Sequence, residues 1–107
     1  MNQSLEYLKV SWSHSYPDEP ELIFYEVDLA HDRQCLRSIE LFADGSIKSI
    51  NNLYEQAIEI TAIPALNEIN QGIWGEELTA TTISQEEFNS LFAQGQLSTQ
   101  AKAHSQA

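Results

Sequence analysis

At 107 residues, 42% of them hydrophobic and 9% aromatic, the chain has apolar surface for one core and falls outside the disordered class. Sixteen acidic residues against five basic ones give a net charge of −11, which repels nucleic-acid phosphates and anionic membrane surfaces and leaves a basic protein surface as the complementary partner. All sixteen acids precede Gly95, so the folded part is expected to carry −12, although acidity of this kind also serves plain solubility.

The stretch LEYLKVSWS, Leu5 to Ser13, alternates with Leu8, Val10 and Trp12 on one face and Tyr7, Lys9 and Ser11 on the other, the period of a half-buried strand. SHSYPDEP follows. Pro17 and Pro20 cannot donate ladder hydrogen bonds, so the chain must leave the sheet there. A second strand, LIFYEVDL, places Ile23, Tyr25, Val27 and Leu29 on one face with Glu26 and Asp28 opposite, before a polar turn at AHDRQ. Two apolar runs then flank Asp44-Gly45, a pair that favours the positive φ angles of a tight turn. They predict a hairpin of strands at about Leu36 to Ala43 and Ser46 to Ile50, its turn either a two-residue loop or one with a bulge.

Beyond Asn52 the pattern is mixed, and a short strand from Ala57 to Ala62 fits it best. Pro64 opens PALNEIN, a short helix with proline at its first position. Gly72 and Gly75 flank Trp74 in a loop, and ELTATTI reads as extended. The last element has the clearest local grammar. Ser84 is an N-cap with Glu87 three residues on, Ile83 is placed to staple against Phe88, and Phe88, Leu91 and Phe92 form one helical stripe. Gly95 is expected to end this helix, which divides the chain into a domain of residues 1–94 and a flexible tail of residues 95–107. The fold class is α+β: an antiparallel sheet of four to five strands, the C-terminal helix across one face and a short helix near Pro64.

Chemistry is sparse. The single cysteine, Cys35, cannot form an internal disulfide and reads as a packed thiol. The N-terminus lacks a basic region followed by an apolar run, and no stretch is long and apolar enough to span a bilayer, so a cytoplasmic location is the expectation. No nucleophile elbow, phosphate loop or dinucleotide turn is present. His14 is in phase with Leu8, Val10 and Trp12, and Asp18 or Glu19 could fold back to orient its imidazole as in general acid/base work. A third catalytic partner is missing, so turn-locking is the stronger reading of the stretch. A metal site from His14, Asp18, Glu19, His31 and Asp32 has suitable donor types but matches no closed motif, and neither metal nor cofactor is expected. Arg37 shares parity with Ile39 and Leu41, which points it inward to pair with Glu26 or Asp28. Trp12 reads as core and Trp74 as a loop anchor; if exposed, Trp74 becomes a contact residue.

YLKVSWSHSYPDEPELIFYEVD, LRSIELFADGSI, PALNEIN and ISQEEFNSLF, in this order, resemble a family of small uncharacterised bacterial proteins. Its members show a W-x-H-x-x-P-D-E-P stretch, an E-I/L-F-x-D-G hairpin, a P-x-L-x-E-I-N segment and a closing I-S-x-x-E-F helix. The resemblance covers roughly residues 5 to 92 and singles out Trp12, His14, Pro17, Asp18, Glu19, Pro20, Glu40, Phe42, Asp44 and Gly45. LYEQAIEITA stands where similar proteins often carry Gly-Gly-Thr. The resemblance implies one domain and no reaction.

The favoured function is therefore a non-enzymatic protein-binding module, such as an immunity-type inhibitor of a basic toxin or nuclease, with Trp12, His14, Asp18, Glu19, Arg37 and Trp74 as candidate binding residues. The alternative is a small ligand-binding protein or enzyme using His14, Asp18 and Glu19. An open sheet face also admits a homodimer. One expectation stands on the sequence alone: Ser84→Ala removes the cap and lowers the unfolding free energy by about 1 kcal/mol in chemical denaturation.

Overall fold

The computed structural model describes residues 5–51 and 62–105. Strands β1 (Leu5–Trp12), β2 (Leu22–Asp28), β3 (Gln34–Leu41), β4 (Ile47–Asn51) and β5 (Leu78–Thr82) form one antiparallel sheet in the order β4-β3-β2-β1-β5, with helices α1 (Leu66–Asn70) and α2 (Gln85–Ser105). This is the α+β architecture expected. The strand placed at Ala57 to Ala62 falls on residues outside those described, apart from Ala62, which lies in no strand.

Both faces of the sheet are packed. On one, Tyr7, Phe24 and Ile39 meet Phe88 and Phe92 of α2; on the other, Leu8, Val10, Val27, Cys35 and Ala80 meet Ile63 and Ile69 around α1. Alternation had put Tyr7 on the outer face of β1, yet only 7% of it is exposed, because α2 covers that face. The two faces are kept distinct by a bulge. Glu26 pairs with Arg37 but Val27 pairs with Cys35, so Leu36 is the extra residue and swings outward. Without it, Cys35 and Arg37 would share a face; with it, the thiol joins one core and the guanidinium the other.

The turns follow their local chemistry. Gly45, at φ 90°, donates to Phe42 O, Phe42 N donates to Ser46 O, and the Asp44 carboxylate accepts from Ser46 N and Oγ. Asp28 accepts from Ala30 N and so starts a short 3₁₀ turn, Leu29–His31. That cap takes Leu29 out of the strand, and the residue expected to face inward is 45% exposed. Asp32 and Arg33 follow at φ 57° and 58°. The strained Arg33 is held by its N–H on Asp28 O and by its side chain, which donates to Ile63 O, Pro64 O and Glu6. It thereby ties the start of the α1 region to β1.

Within PALNEIN each residue has work. Glu68 accepts from Ala65 N, Ile69 is fully buried, and Asn70 lays its amide along β5, donating from Nδ2 to Ala80 O at 2.9 Å and accepting from Ala80 N at 2.7 Å. An exposed strand edge is a template for aggregation. The amide of Asn70 occupies that edge at its midpoint.

Helix α2 starts as its sequence dictates, with Ser84 Oγ accepting from Glu87 N at 3.0 Å. It does not stop at Gly95. Gly95 is buried inside the helix, where β4 passes close by: a Cβ there would overlap the Ser49 hydroxyl and come within 3.0 Å of Ser49 N. Ser49 Oγ itself donates to Phe92 O at 2.7 Å. The glycine is thus required by close approach rather than by a helix stop. In an open helix interior Gly→Ala gains about 1 kcal/mol. Gly95→Ala is expected to do the opposite, a net loss of about 1–2 kcal/mol from overpacking, read from urea unfolding and partly recovered by adding Ser49→Gly.

Candidate functional site

The α1 side of the sheet is covered only in part. Where β1, β2 and β5 run past α1, Val10, Trp12, Ile23, Tyr25, Trp74 and Leu78 line a shallow pocket of about 250 Å³. Its floor is aliphatic and its walls are aromatic. Strand period puts Val10 and Trp12, and likewise Ile23 and Tyr25, on one face. Trp74 reaches over them from the loop between α1 and β5, its ring 6.1 Å from that of Tyr25 and edge-on to it. Two glycines make that reach possible: Gly72 and Gly75 sit at φ 92° and 126°, and a Cβ on Gly75 would strike the carboxylate of Glu77. Trp74 is 36% exposed and the preceding Ile73 58%, large apolar side chains given to solvent at the mouth.

Acidic residues neighbour the lining residues along the chain. Glu76 and Glu77, both exposed, separate Trp74 from Leu78, and Glu77 O accepts from Ser13 N, which joins this loop to the end of β1. Glu21, also exposed, lies two residues before Ile23 on β2 and accepts from Trp12 N through its carbonyl.

His14 lies beside the pocket, not in it. Its ring packs at a tilt against Trp12, 4.2 Å between centroids, and stacks on Tyr16 at 5.5 Å. Nδ1 accepts from Tyr16 N at 2.9 Å, which leaves the proton on Nε2 to be donated to Pro20 O at 2.8 Å. Both ring nitrogens therefore serve the backbone of the exit loop. The turn closes with Glu19 N donating to Tyr16 O across Pro17 and Asp18, and the carboxylates of Asp18 and Glu19 point to solvent. Histidine and the two carboxylates do not converge. Among the described residues no group of three or more His, Cys, Asp or Glu side chains is arranged to hold a metal ion, and no helix is long and apolar enough to cross a membrane.

Arg37 is on the other side of the sheet. Its Nε and one terminal nitrogen each donate to Glu26 at 2.7 Å, a terminal nitrogen also reaches Asn89 Oδ1 of α2, and the guanidinium lies 4.7 Å over Phe92 and 5.2 Å over Phe88. Tyr7 adds a third donor to Glu26, at 2.8 Å. Of the two acids that parity offered Arg37, the pairing selects Glu26. Burial pushes the Glu26 carboxyl up, and the bonds from Arg37 and Tyr7 outweigh it, so its pKa lies below the ordinary 4.5. Cys35 is pushed up to about 12, chiefly by burial, and is inert as a nucleophile at neutral pH.

Of the six residues singled out in the sequence, the fold brings Trp12 and Trp74 into one pocket, sets His14 against it, leaves Asp18 and Glu19 in solvent and takes Arg37 away to the α2 face. Sequence reasoning did not join Tyr25, Ile23 and Leu78 to the tryptophans. The phase of Ile23 with Tyr25 was a usable signal, but pairing with Trp74 depends on the glycine-bounded loop.

The family described as Domain of unknown function (DUF6881) matches residues 6–96, and the chain belongs to it. No curated protein and no solved structure matches the chain.

The network makes a pH-dependent prediction. A depressed folded-state pKa means that Glu26 stabilises the fold above its unfolded value and loses that contribution as pH falls through the folded value. Glu26→Gln, which leaves Arg37 uncompensated, is expected to cost about 3 kcal/mol near neutral pH. The gap between wild type and variant should narrow in urea unfolding as pH is lowered below the ordinary carboxylate value of 4.5 and the folded wild type takes up its proton.

Proposed function

We propose that this family member is a non-enzymatic module that binds a basic protein, an immunity-type inhibitor that masks a toxin or nuclease surface in the bacterial cytoplasm. The observation that carries this reading is the open pocket of Trp12, Tyr25 and Trp74, whose lining residues have exposed acids, Glu21, Glu76 and Glu77, as close neighbours along the chain. Binding surfaces are enriched in tryptophan, tyrosine and arginine at their centres and gain speed and selectivity from complementary charge at their rims. The cavity of about 250 Å³ is smaller than the roughly 300–1,000 Å³ of sites for drug-sized ligands, which favours a partner's side chain over a free metabolite. His14 supports the same choice, since its nitrogens are spent on the exit loop rather than offered to a substrate. A single, buried cysteine, Cys35, suits a reducing compartment.

Affinity capture from lysate of the source cell tests the reading. A protein of high isoelectric point is expected at low salt, released as salt is raised, and lost with the double substitution Glu76→Lys, Glu77→Lys. Recovery of nothing at low salt, or of an acidic protein indifferent to the double substitution, would overturn it.

A further inference from the structure

We infer that the pocket is a socket for one arginine side chain of the basic partner; this rests on the reading just given and specifies its central contact. The shape and chemistry of the site select that occupant. The floor of Val10, Ile23 and Leu78 is aliphatic and matches the three-carbon stem of arginine, which buries against apolar surface while its head stays wet. The walls are the rings of Trp12, Tyr25 and Trp74. An aromatic face attracts a cation, most strongly when it belongs to tryptophan, and the planar guanidinium stacks on such rings as an ammonium does not. At the mouth, Glu76 and Glu77 sit one and two residues before Leu78 with their side chains exposed, within reach of a guanidinium emerging from the pocket.

Other occupants fit less well. A leucine or phenylalanine would fill the floor but make no use of the acids. An acidic side chain would find no basic residue in the lining and exposed acids, Glu76 and Glu77, in the adjoining loop. The protein already shows the pairing it is proposed to make with its partner: on the opposite sheet face, Arg37 lies over Phe88 and Phe92 while donating to Glu26. The socket offers the same two elements, rings and carboxylates, with the arginine left to another molecule.

The chain has two tryptophans and both line this pocket, so their two indole N–H signals report on it directly. Titration of the ¹⁵N-labelled protein with hexa-arginine, hexa-citrulline and hexa-norleucine peptides tests the inference. Hexa-arginine is expected to move both indole signals along a saturable curve, whereas the isosteric, uncharged citrulline and the apolar norleucine peptides bind at least tenfold more weakly. Trp74→Leu, which keeps an apolar wall and removes one ring, should weaken hexa-arginine about three- to tenfold. Trp12→Leu provides the same comparison should the first variant fold poorly. Equal response to norleucine, or arginine binding that shifts acidic-loop amides while both indole signals stay still, overturns the socket and leaves the basic-partner reading standing. No binding of hexa-arginine anywhere at low salt removes both.

Discussion

The architecture depends on one ion pair. Glu26 is 5% exposed, and a carboxylate so far from water is tolerable only because Arg37 binds it through two bonds and Tyr7 supplies a third. Each partner lies on a different strand, so the network crosses β1, β2 and β3. Through Asn89, Phe88 and Phe92 the same guanidinium also fixes the first turns of α2. An apolar helix face can slide on an apolar sheet with little cost. A bidentate pair capped by an amide at a defined turn cannot, and it sets the rotation and register of the helix. The bulge at Leu36 is the local condition for this arrangement, since it alone turns Arg37 toward α2 while Cys35 faces away.

Commitment of α2 to one face determines what remains on the other. There, among the described residues, the cover is α1, a helix of only five residues, and the segment around Ile63. Arg33 clamps its beginning through Ile63 O and Pro64 O, and Asn70 clamps its end to β5. So short a cover leaves part of β1 and β2 to the Trp74 loop, and the pocket forms where that loop arches over the sheet. The site is thus a consequence of unequal cover on two faces. Its aromatic walls come from strand period in Trp12 and Tyr25 and from two positive-φ glycines in Trp74.

What could be read in the sequence was what a few neighbouring residues decide. Asp44-Gly45 makes its turn and Ser84 its cap from side chains within three residues, and both appear as expected. The first four strands follow from period and punctuation in the same way, and β5 falls within ELTATTI, the stretch that reads as extended. Period two fails where both faces are buried, and it therefore placed Tyr7 outside when α2 covers it. Gly95 shows a different limit. A glycine after an amphipathic stripe signals a helix stop or a close neighbour with equal force, and only the position of Ser49 decides between them. Asn70 and the Leu36 bulge belong to the same class, because each acts on a strand distant in sequence. Trp12 and Trp74 were each noticed, yet nothing local joined them, and the histidine that looked most reactive proved to spend both nitrogens on its own loop.

The distribution of charge and of exposed rings is what the proposed binding role rests on. Arg33 pairs with Glu6 and Arg37 with Glu26, so two of the four bases preceding Gly95 are consumed in internal pairs. Lys9 and Lys48 are the bases that remain against fourteen acids in that region. A surface evolved only for solubility would combine such charge with few exposed apolar side chains. Here Trp74 of the aromatic pocket and the preceding Ile73 are exposed, and Tyr16 is 62% exposed on the exit loop whose histidine packs against Trp12. Each exposed ring carries a hydration cost that charge alone does not require. On the proposed reading that cost is recovered when a partner covers the rings, and the acidic surface favours a partner of opposite sign. Aromatic exposure and acidity are, on that reading, two parts of one recognition surface, the first supplying contact area and the second selecting what approaches it.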